Sequence, residues 1–154
     1  MAENVADYPR PPRLVRDRRR IRVLFAGTVL VDTNAAWRVL ERFHPPTFYL
    51  PIAEFAPGSL VETKRTSACE WKGLATYFDV AAARRVARGA AWGYKDPAPG
   101  FEPIRDHVAL YAGPMDECLV GGERALPQPG GFYGGWITGD VAGPFKGGPG
   151  TIGW

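Results

Sequence analysis

Ile21-Arg22-Val23-Leu24-Phe25-Ala26-Gly27-Thr28-Val29-Leu30-Val31-Asp32-Thr33 decides the fold class. β-branched and aromatic residues flank a central Ala-Gly pair, which is the signature of a β-hairpin. The pattern continues outward from it. Trp37 to Phe43 alternates enough for a strand and stops at His44-Pro45-Pro46. Thr47 to Pro51 is a short extended piece, because Pro51 pushes Leu50 out of the α region. Ser59 to Ser67 and Leu74 to Val80 read as two strands about a turn at Cys69–Gly73. His107 to Tyr111 reads as a strand, with Met115 to Val120 its partner across Ala112-Gly113-Pro114, and Gly121-Gly122 turns the chain again. Ala81 to Ala91 stays open: Ala and Arg favour a helix, while Gly89 and the flanking strands favour a strand or hairpin.

Composition agrees with a turn-rich β fold. The 154 residues include 19 Gly and 15 Pro, too many for long helices. This is the size of one domain. With 45% hydrophobic and 23% charged residues the chain has a globular composition. Three segments are expected: a mobile Arg/Pro-rich arm over residues 1–20, one β domain over 21–126, and a Gly/Pro/aromatic tail over 127–154 docked along it. The tail's Phe132, Tyr133, Trp136, Phe145 and Trp154 make it too aromatic for a plain linker.

The net charge of +3 is unevenly placed. Residues 1–22 carry seven arginines against Glu3, Asp7 and Asp17, so the folded body is near neutral. The arginines would suit phosphates, but no aromatics interleave them for base stacking. A solvated arm is favoured, and nucleic acid is not the expected partner. Two cysteines are too few for a secreted disulfide scaffold. The N-terminus has no apolar signal region, and no run is long enough to span a membrane. A cytoplasmic protein with free Cys69 and Cys118 is the expectation.

His44-Pro45-Pro46-Thr47-Phe48-Tyr49-Leu50-Pro51, Cys69-Glu70-Trp71-Lys72-Gly73-Leu74-Ala75-Thr76-Tyr77 and Ala90-Ala91-Trp92-Gly93-Tyr94-Lys95-Asp96-Pro97 together resemble the bacterial "domain of unknown function 427" family. The hairpin at Gly27 and Val39-Leu40-Glu41 fit it too. The ending Gly131 to Trp136 and Gly143 to Gly150 is similar to an extension on some actinobacterial members. The resemblance runs from about residue 20 to the C-terminus. It implies a compact β-tent or Mss4-like fold of two angled antiparallel sheets. It implies the zinc-free version, since neither Cys-x-x-Cys knuckle of related zinc-binding tents is present. It also tips Ala81 to Ala91 toward a strand pair. It implies no established activity. Some members carry a nucleotidyltransferase label, for which the sequence offers no matching chemistry.

The candidate site residues sit on turns and strand ends. Cys69 is a nucleophile or redox thiol where a cation such as Lys72 lowers its pKa; the alternative is a small buried hydrophobe. Lys72 presents a point charge to a carboxylate or phosphate, or is spent in an internal ion pair with Glu41. Glu41 is a general base if desolvated. Tyr49, Tyr77, Trp92 and Tyr94 would wall a pocket, against the alternative of plain core packing. His44 reads as a solvated loop histidine. His44 and His107 with two distant cysteines lack metal-ligand spacing, so no metal and no cofactor are expected. Gly143 to Gly150 lacks the Gly-Lys-Ser/Thr ending and following helix of a phosphate loop. Three functions follow: a small-molecule site, binding or catalytic, where Lys72 grips an anionic group; an interaction module whose sheet surface and tail bind a second copy of the chain; or, third, a weak nucleic-acid contact through the N-terminal arm.

Overall fold

Ile21 to Thr33 forms a hairpin in the computed structural model, which describes residues 2–154. Its turn residues Ala26 and Gly27 have φ of 52° and 73°, the doubly left-handed turn whose twist matches paired strands. The strands in chain order are Glu3–Asn4 (β1), Arg13–Asp17 (β2), Ile21–Phe25 (β3), Thr28–Thr33 (β4), Ala36–Leu40 (β5), Thr47–Pro51 (β6), Leu60–Cys69 (β7) and Gly73–Ala82 (β8). Arg85–Tyr94 (β9), His107–Leu110 (β10), Glu117–Val120 (β11), Glu123–Arg124 (β12), Leu126–Pro127 (β13), Trp136–Ile137 (β14) and Val141–Ala142 (β15) complete them. Single turns of 3-10 helix are the only helical pieces among the described residues. The fold is mainly β.

Two sheets dominate. The larger has seven strands in the order β2-β5-β6-β10-β9-β8-β7, and the smaller has four in the order β12-β11-β3-β4. Both are antiparallel. Ala81 to Ala91 is a strand pair: β8 turns into β9 through Ala83 and Arg84, both with positive φ. Packing of a long hairpin outweighs the helix propensity of its Ala and Arg residues.

Period-two alternation gives the large sheet two different faces. Phe48, Leu50, Phe78, Val80, Val108 and Leu110 point to the small sheet and meet Ile21, Val23, Phe25, Leu30, Cys118 and Val120. This is the main core. The intervening residues Tyr49, Trp92, Tyr94 and Ala109 build a second cluster on the opposite face with Val39, Phe101 and Ile104.

Two expectations are corrected. His107–Leu110 and Glu117–Val120 are not hairpin partners: β10 pairs with β6 and β9, while β11 pairs with β3 and β12. The Ala112–Met115 connection crosses from one sheet to the other and buries Met115 in the core. Nor are residues 1–20 a mobile arm, Met1 lying outside the described residues. β2 pairs with β5 over five residues, and β1 runs parallel to β15. Val5 and Tyr8 are buried with Leu40 and Val141. Buried Arg38 ties the segment down, with Nη1 3.0 Å from Glu3 Oε1 and Nε 3.4 Å from Asp17 Oδ2. Arg19 bridges Asp17 at 2.6 Å and Asp140 at 3.0 Å. Four of the seven arginines in residues 1–22 thus have carboxylate partners outside that stretch: Arg10 with Glu41, Arg19 with Asp140, and Arg20 and Arg22 with Asp32.

The tail lies against the body. Trp136 is fully buried, stacks on Phe48 with ring centroids 5.1 Å apart, and its Nε1–H donates to the Leu110 carbonyl at 2.9 Å. Phe132, in contrast, is exposed.

The N-terminal segment therefore carries stability. Val5→Ala should cost about 1.5–3 kcal/mol, the range for removing buried methyl groups, and deletion of residues 1–12 should cost more. Urea unfolding followed by tryptophan fluorescence measures both. An unchanged midpoint for either would show the segment to be dispensable.

Candidate functional site

The second face of the large sheet opens into a cavity of about 400 Å3. Five strands line it by alternate residues: Tyr49 from β6, Arg65, Ser67 and Cys69 from β7, Tyr77 from β8, Trp92 and Tyr94 from β9, and Val39 from β5, with Tyr111 just past β10. Because side chains alternate, these residues share a face once their strands are in register. Tyr77 and Ala109 each lie opposite Trp92, and Ser67 and Tyr94 each lie opposite Ala75.

The Glu70–Gly73 turn closes one end. Gly73 takes a φ of 108°, and the Lys72 carbonyl accepts from the Ala98 N–H at 2.8 Å. That bond ties the Cys69–Gly73 turn to the segment after Tyr94. The Lys72 ammonium reaches over the Tyr94 ring at 5.9 Å from its centroid. Burial works to lower the Lys72 pKa; the charges that Tyr49 and Cys69 carry once ionised, and last the Glu41 carboxylate, act against it and leave the pKa raised.

All seven expected site residues, Glu41, Tyr49, Cys69, Lys72, Tyr77, Trp92 and Tyr94, line this one cavity. The internal ion pair between Lys72 and Glu41 is absent. Glu41 lies 3.9 Å from Arg10 and 3.7 Å from His44 instead. Burial raises the Tyr49 and Tyr94 phenols well above their usual range, so both stay protonated. Their rings are 6.2 Å apart. Cys118 lies in the main core and is also a free thiol; burial pushes its pKa up to about 12.

Sequence reasoning did not assign Arg65, Tyr111, Tyr133, Lys146 or His44 to the cavity, which all of them line. Arg65 lies over the Tyr77 ring at 4.3 Å, and Lys146 over the Tyr133 ring at 5.3 Å. Tyr111 packs on Trp92 at 4.6 Å, and its hydroxyl donates to the Phe132 carbonyl at 2.9 Å. His44 is buried, not solvated: Tyr133 packs edge-on against it at 4.7 Å, and Gln128 Nε2 contacts its Nδ1 at 3.0 Å. Desolvation, then the charges of Lys146, Arg10 and Lys72, lower its pKa to about 4. No local signal marks these residues, since the tail brings Tyr133 and Lys146 in from far along the chain. Gly134 seats the tail directly on Trp92, where a Cβ would collide with the indole.

The site offers ammonium, guanidinium and phenol donors, one thiol at Cys69 and two carboxylates at Glu41 and Glu70. Among the described residues no three His, Cys, Asp or Glu side chains gather as metal ligands, and no helix is long and apolar enough to cross a membrane.

Residues 13–121 match the family model NTP_transf_9, described as "Domain of unknown function (DUF427)". The chain belongs to this family. No curated protein matches it. Gln128, Tyr133, Gly134 and Lys146 lie beyond the matched residues.

The buried histidine makes the fold acid-sensitive. Its proton binds near pH 4 in the folded chain and near 6.5 in the unfolded chain. Between these values the unfolded chain holds more protons, so stability falls as pH drops through that window. The loss from this one residue should be on the order of 3 kcal/mol between pH 7 and pH 4. His44→Asn keeps an acceptor oxygen for Gln128 and should remove this component. Urea unfolding at pH 7, 5.5 and 4 checks it, and parallel pH profiles for the two proteins would refute it.

Proposed function

We propose that this DUF427 member binds a small organic anion in the cavity, with Lys72 as the chief contact and the tyrosines as walls. One observation carries the reading. Arg65, Lys72 and Lys146 line the same cavity, and none has an Asp or Glu carboxylate within 4.0 Å among the described residues; Lys146 Nζ donates only to the Trp154 backbone oxygen, at 3.5 Å. Each lies over a tyrosine ring instead. The other Lys and Arg side chains without a carboxylate partner are exposed, as Arg65 is, whereas Lys72 and Lys146 are half-buried in the recess. Cations left unpaired in a recess attract an anionic ligand. The volume suits a ligand of modest size. Cys69 and Glu41 are the groups that would take part in any reaction there. The two angled sheets fit a zinc-free tent of the Mss4-like type, and two free thiols fit a cytoplasmic setting.

A charge-assisted contact is worth about 1.5–3 kcal/mol, which is roughly ten- to a hundredfold in affinity. With phenyl phosphate and benzoate as calorimetric probes, Lys72→Met should lose that much while remaining folded, and Cys69→Ser should retain binding. Wild-type affinity in Lys72→Met would overturn the reading. So would an unfolded Lys72→Met, which would make the residue structural.

Self-association is the second reading, favoured by the open edge of the large sheet. β7 is an outermost strand of ten residues, and Val61 on it is exposed. Such edges recruit further strands. The irregularity between Glu62 and Thr66, with Lys64 and Arg65 inside it, works against pairing. Light scattering should give the mass of two chains, reverting to one in Val61→Lys. A monomer across the accessible concentration range would dismiss it.

A further inference from the structure

His44 is the donor in this cavity that the anion reading leaves unused. Its side chain is 10% exposed. Its two ring nitrogens have different surroundings. Nδ1 meets Gln128 Nε2 at 3.0 Å. Nε2 has no hydrogen-bond partner among the described residues; its nearest charged neighbour, Glu41 Oε2, is 3.7 Å away. It is not among the fully enclosed unpaired atoms, and His44 lines the cavity.

Gln128 determines where the imidazole proton sits. The amide is itself buried, and both of its ends are fixed by backbone groups. Oε1 accepts from the Gly135 N–H at 3.1 Å, and Nε2 donates to the Lys146 carbonyl at 2.8 Å. A backbone N–H can only donate and a carbonyl can only accept, so the amide has one orientation. The remaining Nε2 hydrogen then points at His44 Nδ1, which must accept. A neutral imidazole with Nδ1 accepting carries its proton on Nε2.

We propose that His44 is a ligand-contacting group: a neutral imidazole, locked by Gln128 as its Nε2–H tautomer, that donates to an oxygen of the anion held by Lys72 and Lys146. This rests on the anion reading above and names the ligand's reactive end as an oxyanion, a carboxylate or a phosphate. Gln128 is a positioning residue that acts through His44. The groups facing the ring agree with a neutral state. Lys146, Arg10 and Lys72 oppose a second proton and Glu41 favours one; Gln128 would favour one only by turning its oxygen to Nδ1, which its bonds to Gly135 and Lys146 prevent; Tyr133 covers the ring with a neutral edge. A positive imidazolium would also set its Nδ1–H against the Gln128 N–H. Neutral, the ring contributes a directed donor between two ammonium groups without adding a third charge.

The full chain has two histidines, so 15N-labelled protein reads the tautomer directly. Between pH 5.5 and 8, long-range 1H–15N spectra should show His44 with Nδ1 bare and Nε2 protonated. Phenyl phosphate and benzoate, titrated separately, should each shift the Nε2–H signal without changing the tautomer. Gln128→Glu puts an acceptor at Nδ1, so its His44 should protonate there and probe binding should become pH-dependent across this range. His44→Asn keeps Gln128 satisfied through its side-chain oxygen, and should stay folded while losing about tenfold in probe affinity, as for one lost donor. A wild-type His44 that is Nδ1–H or doubly protonated, with the probes still bound, overturns this proposal alone. So do probes that bind with the Nε2–H signal unmoved and His44→Asn unimpaired. If neither probe binds while the ligand-free spectrum is as expected, the anion site falls, and the contact from His44 falls with it.

Discussion

The central strands of the seven-stranded sheet, β6, β10 and the second half of β9, are buried on both faces, and the rest of the molecule is arranged around that constraint. One face carries Phe48, Leu50, Val108 and Leu110 into the core; the other carries Tyr49, Trp92 and Tyr94 to the cavity. Side chains alternate with a period of two, so a slip of one residue in any strand would exchange core for cavity. The packing of the small sheet against the first face therefore fixes the register that assembles the second. Stability and site geometry share one backbone. The cavity needs no strain of its own to bring five strands together, because the core does this for it.

The two chain ends complete that arrangement. The N-terminal segment supplies β2 at one edge and inserts Val5 and Tyr8 beside Leu40. The tail returns across His44-Pro45-Pro46, where the Trp136 N–H donates to the Pro46 carbonyl at 2.8 Å. Ordering so many glycines is costly in entropy. Burial of Trp136, with its ring stacked and its indole N–H satisfied, offsets part of that cost. Small residues are required where the tail passes over the body: a Cβ at Gly134 or Gly135 would meet Trp92 or Pro45. The tail's composition is thus a packing requirement of the cavity rim rather than the mark of a linker.

Much of this is legible in the sequence because it is local. Alternation and the Ala26-Gly27 turn mark the hairpin, and aromatic and ionisable residues beside proline and glycine mark Glu41, Tyr49, Cys69, Lys72, Tyr77, Trp92 and Tyr94. The unreadable parts depend on remote partners. Arg13-Leu14-Val15-Arg16-Asp17 has too little apolar periodicity to stand out, and becomes a strand because β5 offers it a ladder. Adjacency in sequence suggested that His107–Leu110 should pair with Glu117–Val120, but the chain changes sheets between them. His44 looked solvated because its covering residues, Gln128 and Tyr133, lie about 85 residues onward.

The cavity's electrostatics distinguish a binding recess from a buried ion network. A carboxylate beside Lys72 would saturate its N–H donors as well as its charge. A tyrosine face does less: it attracts the cation by about 0.5–1 kcal/mol at an exposed site, but leaves the ammonium's hydrogens undirected. The three cations over Tyr77, Tyr94 and Tyr133 are thereby held in position with most of their donors free, Lys146 alone having a hydrogen bond, to the Trp154 backbone oxygen at 3.5 Å. The nearest carboxylate, Glu41, is turned toward Arg10 and His44. Moving Glu41 onto Lys72 would remove the recess's excess of positive charge and expose Arg10 to the same deficit. An anion from solution has no such competing partner. On the anion reading proposed above it would collect the ammonium hydrogens and, with the tautomer proposed for His44, the imidazole N–H as well, against a wall already shaped by the core.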